Sequence, residues 1–591
     1  MSYPITTTRH SLAHIMAQAV KSLYPDAKMA IGPDIENGFY YDFDFGEVKF
    51  EEAALKDIEK KMKNIIKQNQ KFERHSMLVD SAISFLEKAG EPYKVELARD
   101  LKARGETEIG FYRNITQQGT QVFIDMCRGP HVEKTIEIDE NTFKLDKIAG
   151  AYWKGNSENQ MLTRIYAFAY ATREELDAHL HMLEEARKRD HRVLGKKLKL
   201  FTISELVGAG LPLMQPKGMI IRKAIEDYLW ELHADRGYDR VWTPHLAKEA
   251  LYECSGHAGH YMDDMFSVKG GSSGEGFYVK PMNCPHHMQL FADNQFSYRD
   301  MPIRYFEPAT VYRDEKSGQL SGLTRVRSIT QDDGHLFCRV DQIKAEVSTI
   351  VDIIKTFYAT FGLLEGYWVS LSVRGEDKSK YLGGDDVWQI AEGALEEAAK
   401  DNGLNYRRME GEAAFYGPKL DFMFKDAIGR EWQLATIQCD FNLPNRFELS
   451  FINNVGEKER PVVIHRAISG SLERFMGIMI EHFAGTFPLW LAPVQTVVVP
   501  VSENFIEYAR EVQAALKKAG IRTALDDSND GLNKKVRNAE TAHTNYILVI
   551  GEKEMKEKSV AVRNYKTKEQ TEVKLDTFIE NILGEIQSKR L

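Results

Sequence analysis

Cysteine is scarce: Cys127, Cys254, Cys284, Cys338 and Cys439 are the only five in 591 residues. So few thiols in so long a chain exclude a disulfide framework and leave each as a buried, catalytic or metal-bound group. Long hydrophobic runs are missing as well. No apolar stretch approaches the roughly 20 residues that a bilayer demands, which excludes a membrane-spanning helix. The opening MSYPITTTRHSLAHIM has neither a signal-peptide core nor an Arg/Ser-rich transit segment, so the cytoplasm is the expected compartment. Positive charge is not in excess: 78 Lys and Arg stand against 87 Asp and Glu, a net charge of -9. A nucleic-acid partner would have to be met by local basic surface rather than by the field of the whole molecule.

What is present is ordinary for a globular protein, 43% hydrophobic and 28% charged residues, in a chain too long for one core. About three or four domains are expected. The most informative stretch is RYFEPATVYRDEKSGQLSGLTRVRSITQDDGHLF, residues 304–337. Two strand-like runs, one ending near Glu315 and one starting near Leu323, flank the turn-rich KSGQLSG and predict an antiparallel hairpin with a mobile tip. Alternation puts Arg325, Arg327, Ile329, Gln331, Asp333 and His335 on one face of the second strand, and Val326, Ser328, Thr330 and Leu336 on the other. Arg313 and Glu315 share a face of the first. Arginines at one end of a floor and Gln, Asp and His at the other suit a polyanion beside a small polar group. Standing alone, the pattern equally describes a solvated strand face.

An arginine and a glutamate before a loop, then RVRxxTQDDxH, resembles motif 2 of class II aminoacyl-tRNA synthetases, and among them the threonyl-tRNA synthetase family. The expected fold is therefore α+β and multidomain: an antiparallel-sheet class II catalytic core at 200–492, an N-terminal α+β editing domain at 1–172, a linker helix at 173–199 and a C-terminal α/β anticodon-binding domain at 493–591.

The first domain opens with a helix from about His10 to Tyr24, which places His10 and His14 one turn apart on one face. Far along the chain, DMCRGPHV supplies Asp125, Cys127 and His131. Such groups suit a metal ion or a metal-free hydrolytic pocket, and satisfied structural histidines fit the spacing equally. The Glu of a HExxH protease is missing, which sets a metalloprotease aside. HSLAH, YKVEL and DMCRGPH resemble the second N-terminal domain of threonyl-tRNA synthetases, which hydrolyses seryl-tRNA made in error. The resemblance implies an editing pocket lined by His10, His14, Lys94, Asp125, Cys127 and His131. The related alanyl editing domain holds zinc with a similar set, so metal there stays open. Many family members carry a small ubiquitin-like domain ahead of this one, and a form without it is expected.

Residues 173–199 predict a single helix, acid early and base late, in keeping with the helix dipole. Its Arg187, Lys188, Arg189, Arg192, Lys196 and Lys197 suit solvent or RNA phosphate. The helix KGMIIRKAIEDYLWELHADRGY and the strand DRVWTPHL resemble motif 1 and imply a homodimer. PVVIHRAISGSLERFMGIMIEHFAG predicts a strand, a glycine turn and a helix with Arg474 in its first turn, resembling motif 3. After Val494, strands alternate with helices and predict a mostly parallel sheet. This segment resembles the anticodon-binding domain of the threonyl, prolyl, histidyl and glycyl enzymes, implying base contacts from Asn529, Glu554 and Arg563. His543 stands where an arginine is common.

Cys284, His335 and His465 offer a sulfur and two imidazoles, a zinc set with an open fourth position. Spacing alone fits buried core residues better; it is the resemblance that implies zinc, one ion per subunit. The chemistry has a reason. Threonine and valine have nearly one shape, and an apolar pocket separates such isosteres by only about 10²-fold, whereas a metal binding the amino nitrogen and side-chain hydroxyl rejects valine. Serine keeps the hydroxyl, so an editing domain has work to do. The implied activity is L-threonine plus ATP to threonyl-adenylate, then transfer to tRNA(Thr), with hydrolysis of seryl-tRNA(Thr). The resemblance gives Arg313 the α-phosphate and carboxylate, Arg474 the γ-phosphate, Glu315 the adenine amino group and Arg325 a phosphate, with Mg²⁺ accompanying ATP. Ile329, where the family usually has Phe, would cover the base. Gln331, Asp333, Tyr416, Lys419, Gln438 and Ser471 complete the polar wall. Two other readings stand beside this one: a regulator that binds tRNA without charging it would be marked by loss of Arg313, Arg474 or a zinc ligand, and none is lost; a free editing protein leaves residues 200–591 without a role.

Overall fold

The structure is a computed structural model describing residues 3–256, 259 and 262–591, so part of the GHYMDDMF run lies outside the described residues. The chain forms two compact units, Met1–Glu184 and Glu185–Leu591. Among the described residues no helix is long and apolar enough to cross a membrane.

In the first unit the Ala- and Leu-rich segment Ile5–Leu23 forms a helix buried from Ser11 to Val20. It packs Leu12, Ile15, Met16 and Val20 against Phe39, Tyr41 and Phe43 of the strand Gly38–Asp44. That strand pairs with Met161–Ala169, which pairs with Phe143–Tyr152, all antiparallel. A separate three-stranded antiparallel sheet joins Lys71–Leu78, Glu108–Ile115 and Gln121–Met126. The expected single linker helix is two, Arg173–Arg189 and His191–Lys197. Asp190 breaks it because its carboxylate accepts the Arg192 N–H at 2.8 Å, a local side-chain bond that competes with helix continuation and caps the second segment.

The second unit is built on an eight-stranded sheet in the order Asp239–Arg240, Ile303–Tyr312, Ser328–Cys338, Val462–Ser471, Glu431–Asp440, Lys419–Lys425, Trp368–Val373 and Tyr406–Glu410. Its six inner strands are antiparallel; each edge strand runs parallel to its neighbour. One face is covered by helices such as Ile343–Thr360, whose Val347, Ile350, Val351, Ile354 and Phe357 recur at three- and four-residue spacing and are buried. The hairpin strands stop at Tyr312 and resume at Ser328, shorter than the expected runs to Glu315 and from Leu323. Arg313, Glu315, Arg325 and Arg327 therefore lie beyond the ladder, and strict alternation does not govern them.

The C-terminal sheet runs Thr523–Leu525, Thr496–Pro500, Tyr546–Ile550, Ser559–Asn564, Gln570–Lys574. The first three strands are parallel, as expected; the last two form an antiparallel hairpin that the alternation reading did not anticipate.

Candidate active site

The site is laid out by register. In the sheet His335 stands opposite Tyr305 on one side and His465 on the other; His465 stands opposite Gln438, and Gln438 opposite Lys419. Directly opposed residues of antiparallel strands share a face, so these side chains form one transverse row although up to 160 residues separate them in sequence. Asp333, Ala467 and Thr436 form the next row. Above them lies a cavity of about 340 Å³.

One end of the cavity is basic. Arg313, Arg325 and Arg474 line it with Glu315. Burial, and then the positive charges of Arg325 and Arg313, lower the Arg474 guanidinium below its ordinary value. Such a cluster is relieved by an anion. Arg325 is held by Glu315, Nε to Oε2 at 2.9 Å, and Arg474 donates through Nε to the Thr324 carbonyl at 3.0 Å. Arg327 turns away, pairing with Asp314 at 3.4 Å. Ile329, Gln331 and Ser471 also line the cavity.

At the other end are Cys284, His465, Asp333, Tyr416 and Gln438. Ligand atoms of Cys284, His335 and His465 all lie within 4.8 Å of one another, and all three residues are buried. Cys284 opens the helix Cys284–Ala292, followed by Pro285 in its first turn. Burial, then Asp333 and Asp440, push its thiol well above the ordinary range; burial, then His465 and His287, push His335 well below its own. A divalent cation would reverse that balance for the thiol. The His335 Nε2 atom is buried with no hydrogen-bond partner, and His465 Nε2 is fixed by Asp440 at 2.9 Å. An orphaned buried nitrogen beside a sulfur and a second, carboxylate-oriented imidazole is a donor set that fits zinc. Two expected site residues are not among the cavity-lining side chains: His335, which stays within reach of Cys284 and His465, and Lys419, which lies a strand beyond Gln438 and pairs with Asp421 at 2.6 Å.

Several residues around this site went unread in the sequence. Asp332 is fully buried and accepts the Ile468 and Ser469 N–H groups at 2.8 and 3.0 Å and the Ser469 hydroxyl at 2.9 Å. It holds a bulge in which one residue between Gln331 and Asp333 faces three between Ala467 and Ser471. The bulge swings Ser471 round to cap the next helix, accepting the Arg474 N–H at 3.2 Å. The adjacent acids of QDD were a signal, but only one was assigned a use.

The first unit holds a second cluster. Ligand atoms of His10, His14, Cys127 and His131 lie within 4.8 Å of one another. His10 Nε2 is 2.9 Å from Cys127 Sγ, and His131 Nε2 is 3.4 Å from it. The Ser11 hydroxyl gives its proton to the Thr7 carbonyl at 2.9 Å, so at 3.1 Å it accepts from His131 Nδ1 and leaves the Nε2 lone pair facing the sulfur. Burial is the main cause that pushes the Cys127 thiol up to about 12 and lowers all three imidazoles. Lys94 pairs with Asp125 at 2.7 Å, and the Tyr41 hydroxyl donates to Asp125 at 2.6 Å. All six expected residues thus meet.

In the C-terminal segment Asn529 is exposed in the bend before the helix Leu532–Thr541, Glu554 caps its own helix by accepting the Gly551 N–H at 2.8 Å, and Arg563, on the strand Ser559–Asn564, holds Glu540 at 3.1 Å. His543 is tied inward, its Nδ1 lying 2.7 Å from the Thr486 hydroxyl.

Three family descriptions match the chain: "Threonyl and Alanyl tRNA synthetase second additional domain" over residues 113–166, "tRNA synthetase class II core domain (G, H, P, S and T)" over 266–483 and "Anticodon binding domain" over 495–585. The threonine–tRNA ligase of Clostridium novyi is 46% identical over 583 residues, covering 99% of this chain and 88% of its own. That of Thermus thermophilus is 46% identical over 598 residues, 99% of this chain and 89% of its own. The chain belongs to the threonine–tRNA ligase family. The crystal structure of the RNA binding domain of threonyl-tRNA synthetase from Cryptosporidium parvum is similar in fold as well: 37% identity and a TM-score of 0.64, covering 67% of this chain and 98% of that one. For a threonine–tRNA ligase the matches fall where the geometry does. The core match contains the hairpin, Cys284, His335, His465 and Arg474, and the second additional domain match contains Asp125, Cys127 and His131.

Proposed function

We propose that this member of the threonine–tRNA ligase family activates L-threonine with ATP in the 340 Å³ cavity and passes it to tRNA(Thr), while the cluster in the first unit hydrolyses seryl-tRNA(Thr). The observation that carries this is the polarity of the cavity, three arginines at one end and a sulfur with two imidazoles at the other. A reaction between a triphosphate and a small hydroxylated amino acid needs those two ends.

At the basic end Arg474 takes the γ-phosphate, Arg325 a further phosphate, and Arg313 the α-phosphate with the carboxylate. Arg313 stabilises negative charge as the carboxylate oxygen attacks phosphorus and diphosphate leaves. Glu315 accepts from the adenine amino group in competition with Arg325, and Ile329 gives the base an aliphatic platform. Mg²⁺ accompanies the phosphates. At the other end Cys284, His335 and His465 would hold zinc, whose chemistry when bound is to accept the amino nitrogen and side-chain hydroxyl of threonine as ligands. Asp333, oriented by the Asn283 amide at 2.9 Å, accepts from that hydroxyl. Gln331, Tyr416, Gln438 and Ser471 close the wall, and Lys419 acts from the next strand. Positioning and electrostatics supply most of the rate, and no protein nucleophile is needed.

In the first unit His10, His14, Lys94, Asp125, Cys127 and His131 form the hydrolytic pocket. Asn529, Glu554 and Arg563 meet anticodon bases, whereas inward-tied His543 does not. The domains divide at 1–172, 173–199, 200–492 and 493–591. The working form is a cytoplasmic homodimer joined through the motif 1 segment, where Trp242 is 73% exposed and Leu246 45% exposed.

The test is ATP–diphosphate exchange with threonine, serine and valine, run beside metal analysis of the same protein. Exchange with threonine, weaker exchange with serine, none with valine and one zinc per chain are expected. No exchange in zinc-loaded protein that still binds tRNA would leave a tRNA-binding regulator instead.

A further inference from the structure

Behind the zinc triad runs a buried line of three polar side chains. His335 Nδ1 is 2.8 Å from His287 Nδ1, and His287 Nε2 is 2.9 Å from Glu307 Oε2. Glu307 is 2% exposed and both histidines 0%. The other oxygen of Glu307 accepts the Thr243 N–H at 2.7 Å and lies 3.5 Å from the Lys280 ammonium, which has no exposure of its own.

The protons in this line are not free to choose. A carboxylate facing an ammonium and a backbone N–H only accepts, so His287 carries its proton on Nε2 and presents the lone pair of Nδ1. Against that lone pair His335 can place only an N–H, so its proton sits on Nδ1. The lone pair left over is on His335 Nε2, the buried atom without a partner. The opposite arrangement would set a carboxylate oxygen and an imidazole lone pair face to face at 2.9 Å with no proton between them.

We propose that Glu307, acting through His287, is the positioning residue that sets the ligating tautomer of His335, a carboxylate–imidazole–imidazole relay ending on the metal donor. This rests on the zinc reading above. Outer partners of this kind fix ring orientation and tautomer in metal sites generally, and their loss costs about 10–100-fold in metal affinity.

Glu307→Gln gives the relay a directional test. The amide must keep its carbonyl oxygen toward Thr243 N–H and Lys280, both donors, which turns its NH₂ toward His287 Nε2. The relay then runs backwards: His287 donates to His335 Nδ1, and His335 Nε2 is protonated and no longer a ligand. Packing and volume hardly change. Zinc affinity of the full-length protein is read by competition with a chromophoric chelator, and the site is checked by the visible spectrum of bound cobalt(II); neither needs enzyme activity. A 10–100-fold weaker zinc affinity in E307Q, with wild-type zinc lost in Cys284→Ser, supports the relay. Wild-type affinity in folded E307Q overturns the relay and leaves the zinc reading standing. Absence of zinc binding in the wild type overturns both. Should E307Q fail to fold, a neutron structure of the wild type decides: a deuteron on His335 Nδ1 supports the relay and one on Nε2 overturns it.

Discussion

His191 gives the pocket an anchor from outside it. Its Nε2 accepts the Leu323 N–H at 3.0 Å, which places the ring proton on Nδ1, where it is donated to Glu481 Oε1 at 2.6 Å. Both ring nitrogens are thus used, and the grouping of Asp190, His191 and Glu481 is a structural clamp rather than a metal site. Glu481 also takes a hydrogen bond from Arg430. Burial pushes the Glu481 carboxyl up, but His191 and Arg430 outweigh it and hold the group below its ordinary value of 4.5. A depressed folded value means stability present above about pH 4.5 and lost as pH falls through the folded value. Glu481→Gln should therefore flatten the acid limb of unfolding below pH 4.5 while lowering stability at neutrality by about 1–3 kcal/mol, measured by urea denaturation across pH.

Between the hairpin and the helix Leu472–His482, the bulge is the element that aims the chemistry. Without its two extra residues the strand would carry Ser471 past Gln331 and the helix would start elsewhere. Gly470 makes the turn at φ +70°, and a Cβ there would meet the Leu434 carbonyl oxygen at 2.7 Å. Left-handed backbone costs a residue with a side chain about 1–2 kcal/mol, and here the obstacle is neighbouring backbone, which yields poorly. Gly470→Ala should lower stability by about 2 kcal/mol or more and raise the KM for ATP more than that for threonine, because Ser471 and Arg474 move while Cys284 and His335 stay. Equal change in both constants would mean that the bulge does not aim the phosphate end.

The whole molecule separates its two pockets into different compact units, each with its own hydrophobic core. His10→Ala together with His14→Ala should leave threonine-dependent exchange near wild type and abolish deacylation of seryl-tRNA(Thr); unchanged deacylation removes the editing assignment. Much at this scale was legible beforehand. Residue types carried it: the arginines, the hairpin turn and the order of the domains stand in the chain as local signals, whereas Cys284, His335 and His465 are too far apart in sequence to form one, and only the family resemblance grouped them. Arg325 and Arg327 show where that ran out. Period-2 alternation holds only inside a ladder, and the ladder begins at Ser328, so one arginine faces the cavity and the other faces Asp314. By itself the sequence determined which residue types were on offer and, inside the ladder from Ser328 to Cys338, which of them share a face, because alternation and turn propensity act within a few residues. Which of those faces came to lie side by side was decided only by tertiary structure. Register between strands more than a hundred residues apart is set by the packing of the whole sheet, and that register put His335 beside His465, Asp332 under the bulge and Glu307 behind His287.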